Sequence, residues 1–321
     1  MLQTRLTDKL GCKYPIVQTA MGWVADPNLV AGSCNAGGFG FLAGATIPPA
    51  EMERDILRVK ELTSAPFGVN FHMYQPNAAA IVDMVIRHGV RAVSYSRSPG
   101  PEMIRKLKDA GVICMPTVGL PKHAIKAVEL GADVVTVQGG EGGGHTGAVP
   151  TTLLIPQVVD AVGAKVPVVA AGGFKDGRGL VAALAWGADG IAMGTRFLVA
   201  EEVWAHRSYK ERLVAAQETD TTLLLQSMRN TQRALKTGHV AMIQQLEKVE
   251  PVDTAAILPH IMGTVGRKAY ETGDVEKAML SCGQGVVFAD RIEPVAAIVD
   301  RIEAEARAAL TRLQHISTMT S

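Results

Sequence analysis

Between residues 15 and 198 the chain repeats one pattern eight times: a short apolar run, then a stretch with helical periodicity. The apolar runs are residues 15–18, 39–42, 67–71, 91–95, 112–118, 133–137, 167–171 and 189–193. Uniform alternation of strand and helix predicts a parallel sheet with right-handed crossovers. Eight such units are the number that closes a (β/α)8 TIM barrel, so we predict an α/β protein of that fold. A doubly wound open sheet is the alternative, and the count of eight favours the barrel.

The pattern changes after residue 198, where strand-like runs give way to helical periodicity. Residues 222–235, 239–248 and 254–262 have the apolar spacing of amphipathic helices, and residues 292–313 predict one long helix of the outer ring. We therefore predict three regions. They are a barrel over residues 1–205, a smaller helical cap or substrate domain over 206–278, and a return segment with a C-terminal helix packed on the barrel over 279–321.

Composition and charge argue against several classes of protein. Of the 321 residues 47% are hydrophobic, which is enough for a large core, and the net charge is +1 with both signs scattered along the chain. The absence of a basic stripe argues against a nucleic-acid partner. No apolar run approaches the roughly 20 residues of a membrane span, and the first five residues lack the apolar stretch of a signal peptide. We therefore expect a cytoplasmic protein without a membrane partner.

The four cysteines do not form a recognisable site. Cys12, Cys34, Cys114 and Cys282 are far apart and include no CxxC pair. Such spacing is typical of reduced, mostly buried thiols in a cytoplasmic protein. We expect no metal site.

Residues 139–147 form the most unusual segment of the chain. They follow an apolar run, six of the nine are glycine, and His145 stands among them. Glycine lets the backbone approach a flat or charged group closely. An imidazole titrates near neutral pH and can accept or donate a proton. The segment therefore predicts a loop that lies against a cofactor and offers one acid–base group.

Glycine also follows the seventh and eighth predicted strands. There the sequences are Ala-Gly-Gly-Phe at 171–174 and Met-Gly-Thr-Arg at 193–196. In barrels of this kind these two loops are the usual phosphate site. We predict that the amides of Gly172, Gly173, Gly194 and Thr195 bind one phosphate group, helped by the positive end of the helix that starts near residue 176. The glycines could also be tight turns alone, but two motifs on consecutive strands favour phosphate.

Five motifs together resemble the nitronate monooxygenase family, formerly called 2-nitropropane dioxygenase, which includes NADH:quinone reductases and is similar to FMN-dependent enoyl reductases. The resemblance covers nearly the whole chain. The motifs are residues 18–24, residues 66–70, the glycine-rich segment 139–147, residues 171–179 and residues 193–197.

The resemblance implies noncovalent FMN in the barrel of residues 1–205. It places Met21, Gly22 and Asn70 near the flavin ring and Gln138 near the ring or the ribityl chain. It places Gly172, Gly173, Gly194 and Thr195 at the phosphate, with Gln284 beside the flavin or the phosphate. His145 falls on the active-site histidine of the family, which implies a catalytic role.

The chain also departs from well-characterised bacterial members. Thr117 stands near the end of the fifth strand, where many members carry a lysine, and Gly22-Trp23 replaces Gln-Trp. Residues 139–147 resemble a branch whose members act on CoA thioesters in steroid ring breakdown. The physiological substrate and the role of Thr117 therefore stay open.

Three functions follow as hypotheses. The leading one is FMN-dependent oxidation of alkyl nitronates with O2, in which His145 binds the nitro group or removes the α-proton. In the alternative, NAD(P)H reduces the flavin, which then reduces a quinone or an enoyl (CoA) thioester. A non-enzymatic barrel that binds a phosphate ligand is the third. The expected partners are a small-molecule substrate and O2, with NAD(P)H in the alternative, and the sequence leaves a homodimer open.

Overall fold

The computed structural model of the chain describes residues 2–45, 47–72, 75–96 and 100–318 and has a closed barrel of eight parallel strands at its centre. In chain order the strands up to the end of the barrel are β1 (Ile16–Gln18), β2 (Phe39–Ala43), β3 (Gly68–His72), β4 (Ala92–Ser96), β5 (Ile113–Val118), β6 (Val135–Gln138), β7 (Gly144–His145), β8 (Val168–Ala171) and β9 (Gly190–Met193). All of these except the short β7 belong to the barrel. Strand β1 pairs with both β2 and β9. An open sheet would have two unpaired edges, so the predicted TIM barrel is confirmed and the doubly wound alternative is excluded.

The helices are α1 (Arg5–Leu10), α2 (Pro27–Asn35), α3 (Pro49–Leu62), α4 (Ala78–Arg87), α5 (Pro101–Asp109), α6 (Pro121–Glu129), α7 (Thr151–Val162), α8 (Gly177–Ala185), α9 (Arg207–Val214), α10 (Gly238–Leu246), α11 (Thr254–Ile261), α12 (Gly263–Thr272) and α13 (Val295–Thr318). Helices α2 to α8 follow barrel strands and form the outer ring with α13, whereas α1 precedes β1 and α9 to α12 belong to the region after β9. The long α13 packs against α8 and α2, which completes the ring as the eighth barrel helix. Among the described residues, no helix is long and apolar enough to cross a membrane.

Helix α1, which the sequence did not predict, closes the amino-terminal end of the barrel. Its Leu6 and Leu10 are fully buried among side chains of the barrel interior, such as Phe39 and Phe41. Arg5 donates two hydrogen bonds to the Asp189 carboxylate, at 2.9 and 2.8 Å. The opposite, carboxyl-terminal end of the barrel is therefore the end that is open to ligands.

The region after β9 is not purely helical, which corrects one prediction. Residues 222–235, predicted as one amphipathic helix, form instead the strands β10 (Thr221–Leu224) and β11 (Gln232–Leu235). They pair antiparallel with each other, and β11 also pairs with β7 of the glycine-rich segment. Leu225 and Arg229 in the connecting turn have φ of 62° and 51°, which a helix does not allow. Pairing with distant residues has overridden the local helical periodicity.

The return segment is tied to the barrel by a buried ion pair. The Arg196 side chain, only 4% exposed, forms a salt bridge with Glu293, which also pairs with Arg301. Burial lowers the pKa of Arg196 to about 10, so the guanidinium still carries its charge at neutral pH. Arg196 stands directly after Thr195, so this pair anchors the loop that follows β9.

Glu293→Gln should lower the free energy of unfolding by about 3–5 kcal/mol, because it leaves a buried guanidinium without its counter-charge. Urea denaturation monitored by circular dichroism measures the change. The paired replacement Arg196→Met with Glu293→Leu should recover part of the loss, since it removes the buried guanidinium together with its partner and leaves the half-buried Arg301 its contact with Asp290. A single variant as stable as the parent would show that the pair does not anchor this segment.

Candidate active site

A cleft of about 510 Å³ opens at the carboxyl ends of the barrel strands. Ligand pockets in proteins commonly measure roughly 300–1,000 Å³, so its size suits a cofactor with a small substrate. The predicted site residues that line it are Met21, Gly22, Asn70, Gln138, His145, Gly172, Gly173, Gly194 and Thr195. The structure thus brings together residues from five barrel strands or the segments that follow them.

Gln284 is the predicted site residue that the structure does not bring into the cleft. Its side chain is exposed, and its backbone amide donates to the carbonyl oxygen of Glu141 at 2.9 Å. Its neighbours Gly283 and Gly285 line the cleft instead. A role for Gln284 beside a ligand therefore stays a prediction, and the structure favours the backbone of this segment over the side chain.

Three loops meet at one end of the cleft: those after β8 and β9, and residues 283–285. The amide of Gly283 donates to the Thr195 hydroxyl at 2.9 Å. A Cβ built on Gly285 would lie 3.4 Å from the carbonyl oxygen of Gly173. The loops after β8 and β9 and residues 283–285 of the return segment therefore form one continuous wall of backbone atoms.

This wall presents unpaired amides. Within the described part of the chain, the amides of Gly172, Gly173 and Gly194 donate no hydrogen bond to another protein group. Gly172 and Gly173 have φ of 97° and 80°, a region that side chains disfavour. Backbone donors without side chains around them are what an oxyanion such as a phosphate requires.

Two amides at the amino terminus of α8 have carboxylate acceptors of their own, and the predicted help from the positive end of this helix stays a prediction. The Asp176 carboxylate accepts from the amide of Gly179, and the Glu305 carboxylate accepts from the amide of Gly177, both at 2.9 Å. Neither Asp176 nor Gly177 lines the cleft. The carboxylates satisfy the first turn of the helix, so the donors for an anion are those of the loops.

The floor of the cleft is lined by neutral groups. Asn70 donates through Nδ2 to the Ser94 hydroxyl and carbonyl oxygens at 3.0 and 3.1 Å, which fixes its amide at the end of β3. Thr117 and Thr136 also line the cleft from β5 and β6. Thr117 therefore places a hydroxyl, not an ammonium, at this position of the floor.

The glycine-rich segment is held in place by hydrogen bonds from both sides. Gln138 Nε2 donates to the carbonyl oxygen of His145 at 2.7 Å. From β11, Arg233 donates to the carbonyl oxygen of Gly140 at 3.3 Å. The Glu141 carboxylate accepts from the Thr151 amide and hydroxyl at 3.0 and 2.6 Å, so it caps α7. His145 is therefore presented by an ordered backbone.

A second imidazole stands near His145. The ring centroids of His72 and His145 are 6.4 Å apart, and the Ser96 hydroxyl lies 3.4 Å from His72 Nε2. Gln232 Nε2 lies 3.3 Å from His145 Nε2. All four residues line the cleft, which places acid–base and hydrogen-bonding groups on one wall of it.

Sequence reasoning missed Gln232 because residues 222–235 were predicted as a helix. The available signal was the pair of short runs Thr-Thr-Leu-Leu and Gln-Arg-Ala-Leu on either side of a polar turn, which is typical of a hairpin. Sequence reasoning also missed the wall of the cleft that is formed by residues after β11. This wall consists of His260, Ile261, Met262, Tyr270 and Met279.

Two further cleft residues with ionisable side chains stay neutral. Burial raises the pKa of Cys282 and that of Tyr270 to about 12. Neither side chain can therefore act as a base near neutral pH. Among the described residues, no cluster of three or more His, Cys, Asp or Glu side chains could hold a metal ion.

The chain is similar to several known proteins. The family model described as nitronate monooxygenase matches residues 3–305. A protein of Rhodococcus jostii (strain RHA1) is 54% identical over 222 residues, which are 69% of this chain and 62% of that protein. Its name is (3aS,4S,5R,7aS)-5-hydroxy-7a-methyl-1-oxo-octahydro-1H-indene-4-carboxyl-CoA dehydrogenase. The match spans less than two thirds of that relative's length.

Two solved structures resemble the chain over nearly its full length. FabK from Thermotoga maritima superposes with a TM-score of 0.93 at 33% identity, covering 98% of this chain and 100% of that one. Nitroalkane oxidase from Streptomyces ansochromogenes has a TM-score of 0.83 at 30% identity, covering 96% and 99%. Both likenesses extend through the barrel and the cap.

Proposed function

The chain belongs to the nitronate monooxygenase family and is a flavin-dependent oxidoreductase, and on that premise we propose that it binds FMN and oxidises alkyl nitronates with O2. The observation that carries the proposal is the shared cleft. The end of the cleft formed by the loops after β8 and β9 has unpaired glycine amides, and another wall of the same cleft carries His145. A phosphate-bearing cofactor and an acid–base group would therefore act in one enclosed space.

The residues at the cradle fit the phosphate of FMN. Gly172, Gly173 and Gly194 supply amides without side chains, and Thr195 supplies a hydroxyl at the same end. Met21, Gly22, Asn70 and Gln138 would then lie along the rest of the cofactor. When bound, FMN takes up the electrons of the substrate and passes them to O2.

The protein groups would orient the substrate and move its proton. His145 would accept the α-proton of a neutral nitroalkane at a ring nitrogen, or donate a hydrogen bond to a nitro oxygen of the nitronate. Gln138 fixes the backbone of His145 from the barrel side. Tyr270 and Met262 of the cap line the same cleft and would exclude water from it.

A second candidate function is favoured by the Rhodococcus relative, whose name specifies a carboxyl-CoA dehydrogenase. On that proposal the same cleft would oxidise a substrate carried as a CoA thioester. The resemblance of residues 139–147 to a branch that acts on CoA thioesters supports this candidate as well, whereas the role of Thr117 stays open. The NAD(P)H-dependent reduction of a quinone or an enoyl thioester uses the same cleft with the electron flow reversed.

The purified protein should be yellow, and heat release followed by chromatography should give FMN. Under anaerobic conditions an alkyl nitronate should bleach the flavin, and admitted O2 should restore the colour. The same measurement with a hydroxylated acyl-CoA, NADH and NADPH provides the comparison.

Recovery of FAD, or failure to take up FMN on reconstitution, would contradict the cofactor assignment. Bleaching by the acyl-CoA alone would support the second candidate in place of the first. Bleaching by NADH or NADPH alone would support the reductase.

A further inference from the structure

The side chain of Gln232 lies against the imidazole of His145. The two Nε2 atoms are 3.3 Å apart, and the two residues are direct register partners in β11 and β7. Gln232 is only 8% exposed and lines the cleft. We propose that Gln232 is a positioning residue that holds the His145 ring in its working orientation. The inference rests on the acid–base role proposed for His145.

The backbone around Gln232 gives its side chain a defined position. Strand β11 pairs with β10 over four residue pairs and with β7 on its other edge. Arg233, the next residue, donates to the carbonyl oxygen of Gly140 and to the Thr221 hydroxyl. Gln232 is thus presented by the central strand of the small sheet. His145 is held through its backbone by Gln138 of the barrel and through its ring by the cap.

A carboxamide suits both protonation states of an imidazole. The NH2 group of Gln232 donates to a neutral ring nitrogen, and its oxygen accepts from a protonated one. A half-turn of the carboxamide exchanges the two groups, so the contact persists when the ring gains or loses a proton. A carboxylate would favour the cationic ring alone, and an apolar side chain would offer no hydrogen bond and would favour the neutral ring by desolvation.

Other ionisable side chains of the described residues share the cleft with His145 or stand beside it in the sequence. From the described residues, the ionisable side chains that share the cleft with His145 are His72 of β3, His260 of α11, Tyr270 of α12 and Cys282. The pKa values of Tyr270 and Cys282 lie near 12, so both stay neutral. On its own loop Glu141 binds Thr151, and on β11 Arg233 binds Gly140 and Thr221.

The test is to replace Gln232 by Glu and by Leu and to follow His145 directly. Histidine labelled with 15N in the ring gives the pKa and the tautomer of His145 by NMR, with His145→Ala identifying its signals among the eight histidines. Gln232→Glu should raise the pKa of His145 because a nearby anion favours the cation. The acid limb of kcat/KM with neutral nitroalkane should move to higher pH with it, since the base must be unprotonated.

Gln232→Leu should change the tautomer ratio of His145 and lower kcat by about 3- to 10-fold, the effect of one lost hydrogen bond, with KM nearly unchanged. Gln244→Leu is the matched control. Gln244 Nε2 donates to the Thr222 hydroxyl and the Leu223 carbonyl oxygen in the same cap, away from the cleft. It should leave both the titration of His145 and the pH profile as they are in the parent.

An unmoved titration of His145 in Gln232→Glu would overturn the inference. If both variants fail to fold, an NMR pH titration of the parent protein tests the inference instead. The side-chain amide signals of Gln232 should shift with the same midpoint as those of His145. Amide signals that do not change with pH would overturn the inference. If the parent does not turn over nitroalkanes, the proposed function fails. The titration then still decides whether Gln232 positions the ring.

Discussion

His145→Ala is expected to keep its flavin and to lose about 10²–10⁴-fold in kcat/KM with a neutral nitroalkane, the usual contribution of general acid–base catalysis. His145 lies on a wall of the cleft beside His72 and Gln232, whereas the unpaired amides that suit a phosphate lie on the loops after β8 and β9. Losing the imidazole therefore removes a proton acceptor and leaves the cradle in place. Steady-state kinetics and the flavin absorbance of the purified variant measure the two quantities.

The choice of substrate separates two roles for His145. With a preformed nitronate the α-proton is already gone, so the loss should be smaller if His145 is the base. An equal loss with both substrates would indicate binding or orientation of the nitro group. His123→Ala, an exposed histidine on α6, is the control and should behave as the parent. Full activity of His145→Ala on the neutral nitroalkane would remove His145 from catalysis.

Gly172→Ala and Gly194→Val are expected to weaken FMN binding by at least about tenfold, roughly 1.4 kcal/mol. A Cβ on Gly172 would lie 2.9 Å from the backbone nitrogen and oxygen of Gly139, and its φ of 97° is unfavourable for alanine. A Cβ on Gly194 would lie 3.0 Å from the Thr19 hydroxyl and 3.4 Å from Met21 Sδ. Each added carbon displaces the strand ends that aim the amides.

Flavin titration of the apoprotein followed by fluorescence quenching gives the dissociation constant. Gly111→Ala is the control that separates the effect of backbone strain from the effect of a changed cleft geometry. Gly111 also has a positive φ, of 73°, but a Cβ there has no neighbour within 4 Å and the residue does not line the cleft. That control should lose some stability and bind FMN as the parent does. Unchanged FMN affinity in both cleft variants would mean that the phosphate lies elsewhere.

The barrel and most of the cleft could be predicted because they follow from local sequence patterns. Each barrel strand is a short apolar run followed by a helix. Once eight such units close, every loop after a strand lies at the same end of the barrel. Asn70, Gly172 and Gly194 stand at the end of such runs or directly after them, and His145 lies in the segment that follows β6. Predicting that these residues converge therefore required only the number of barrel strands.

The features that were missed depend on contacts between distant residues. The strands β10 and β11 form a hairpin that β7 extends through its pairing with β11, and no property of residues 222–235 alone specifies that third strand. The capping of α8 by Glu305 involves a residue 128 positions away from Gly177. The role of Gln284 was implied by the family resemblance, but the direction of its side chain depends on how its segment packs on Glu141.

The pairing of His145 with Gln232 also has a consequence for the order in which the molecule assembles. The two residues are 87 positions apart, and β8, β9 and β10 lie between them. A nascent chain that has been synthesised only through β9 already contains all eight strands of the cylinder. It lacks β11, the strand that pairs with β7 and so fixes the segment that carries His145. Bringing together residues so far apart in the sequence carries an entropic cost, which grows slowly with the length of the loop. The scaffold can therefore form before its reactive wall does, and the acid–base group reaches its final position only when the small sheet is complete.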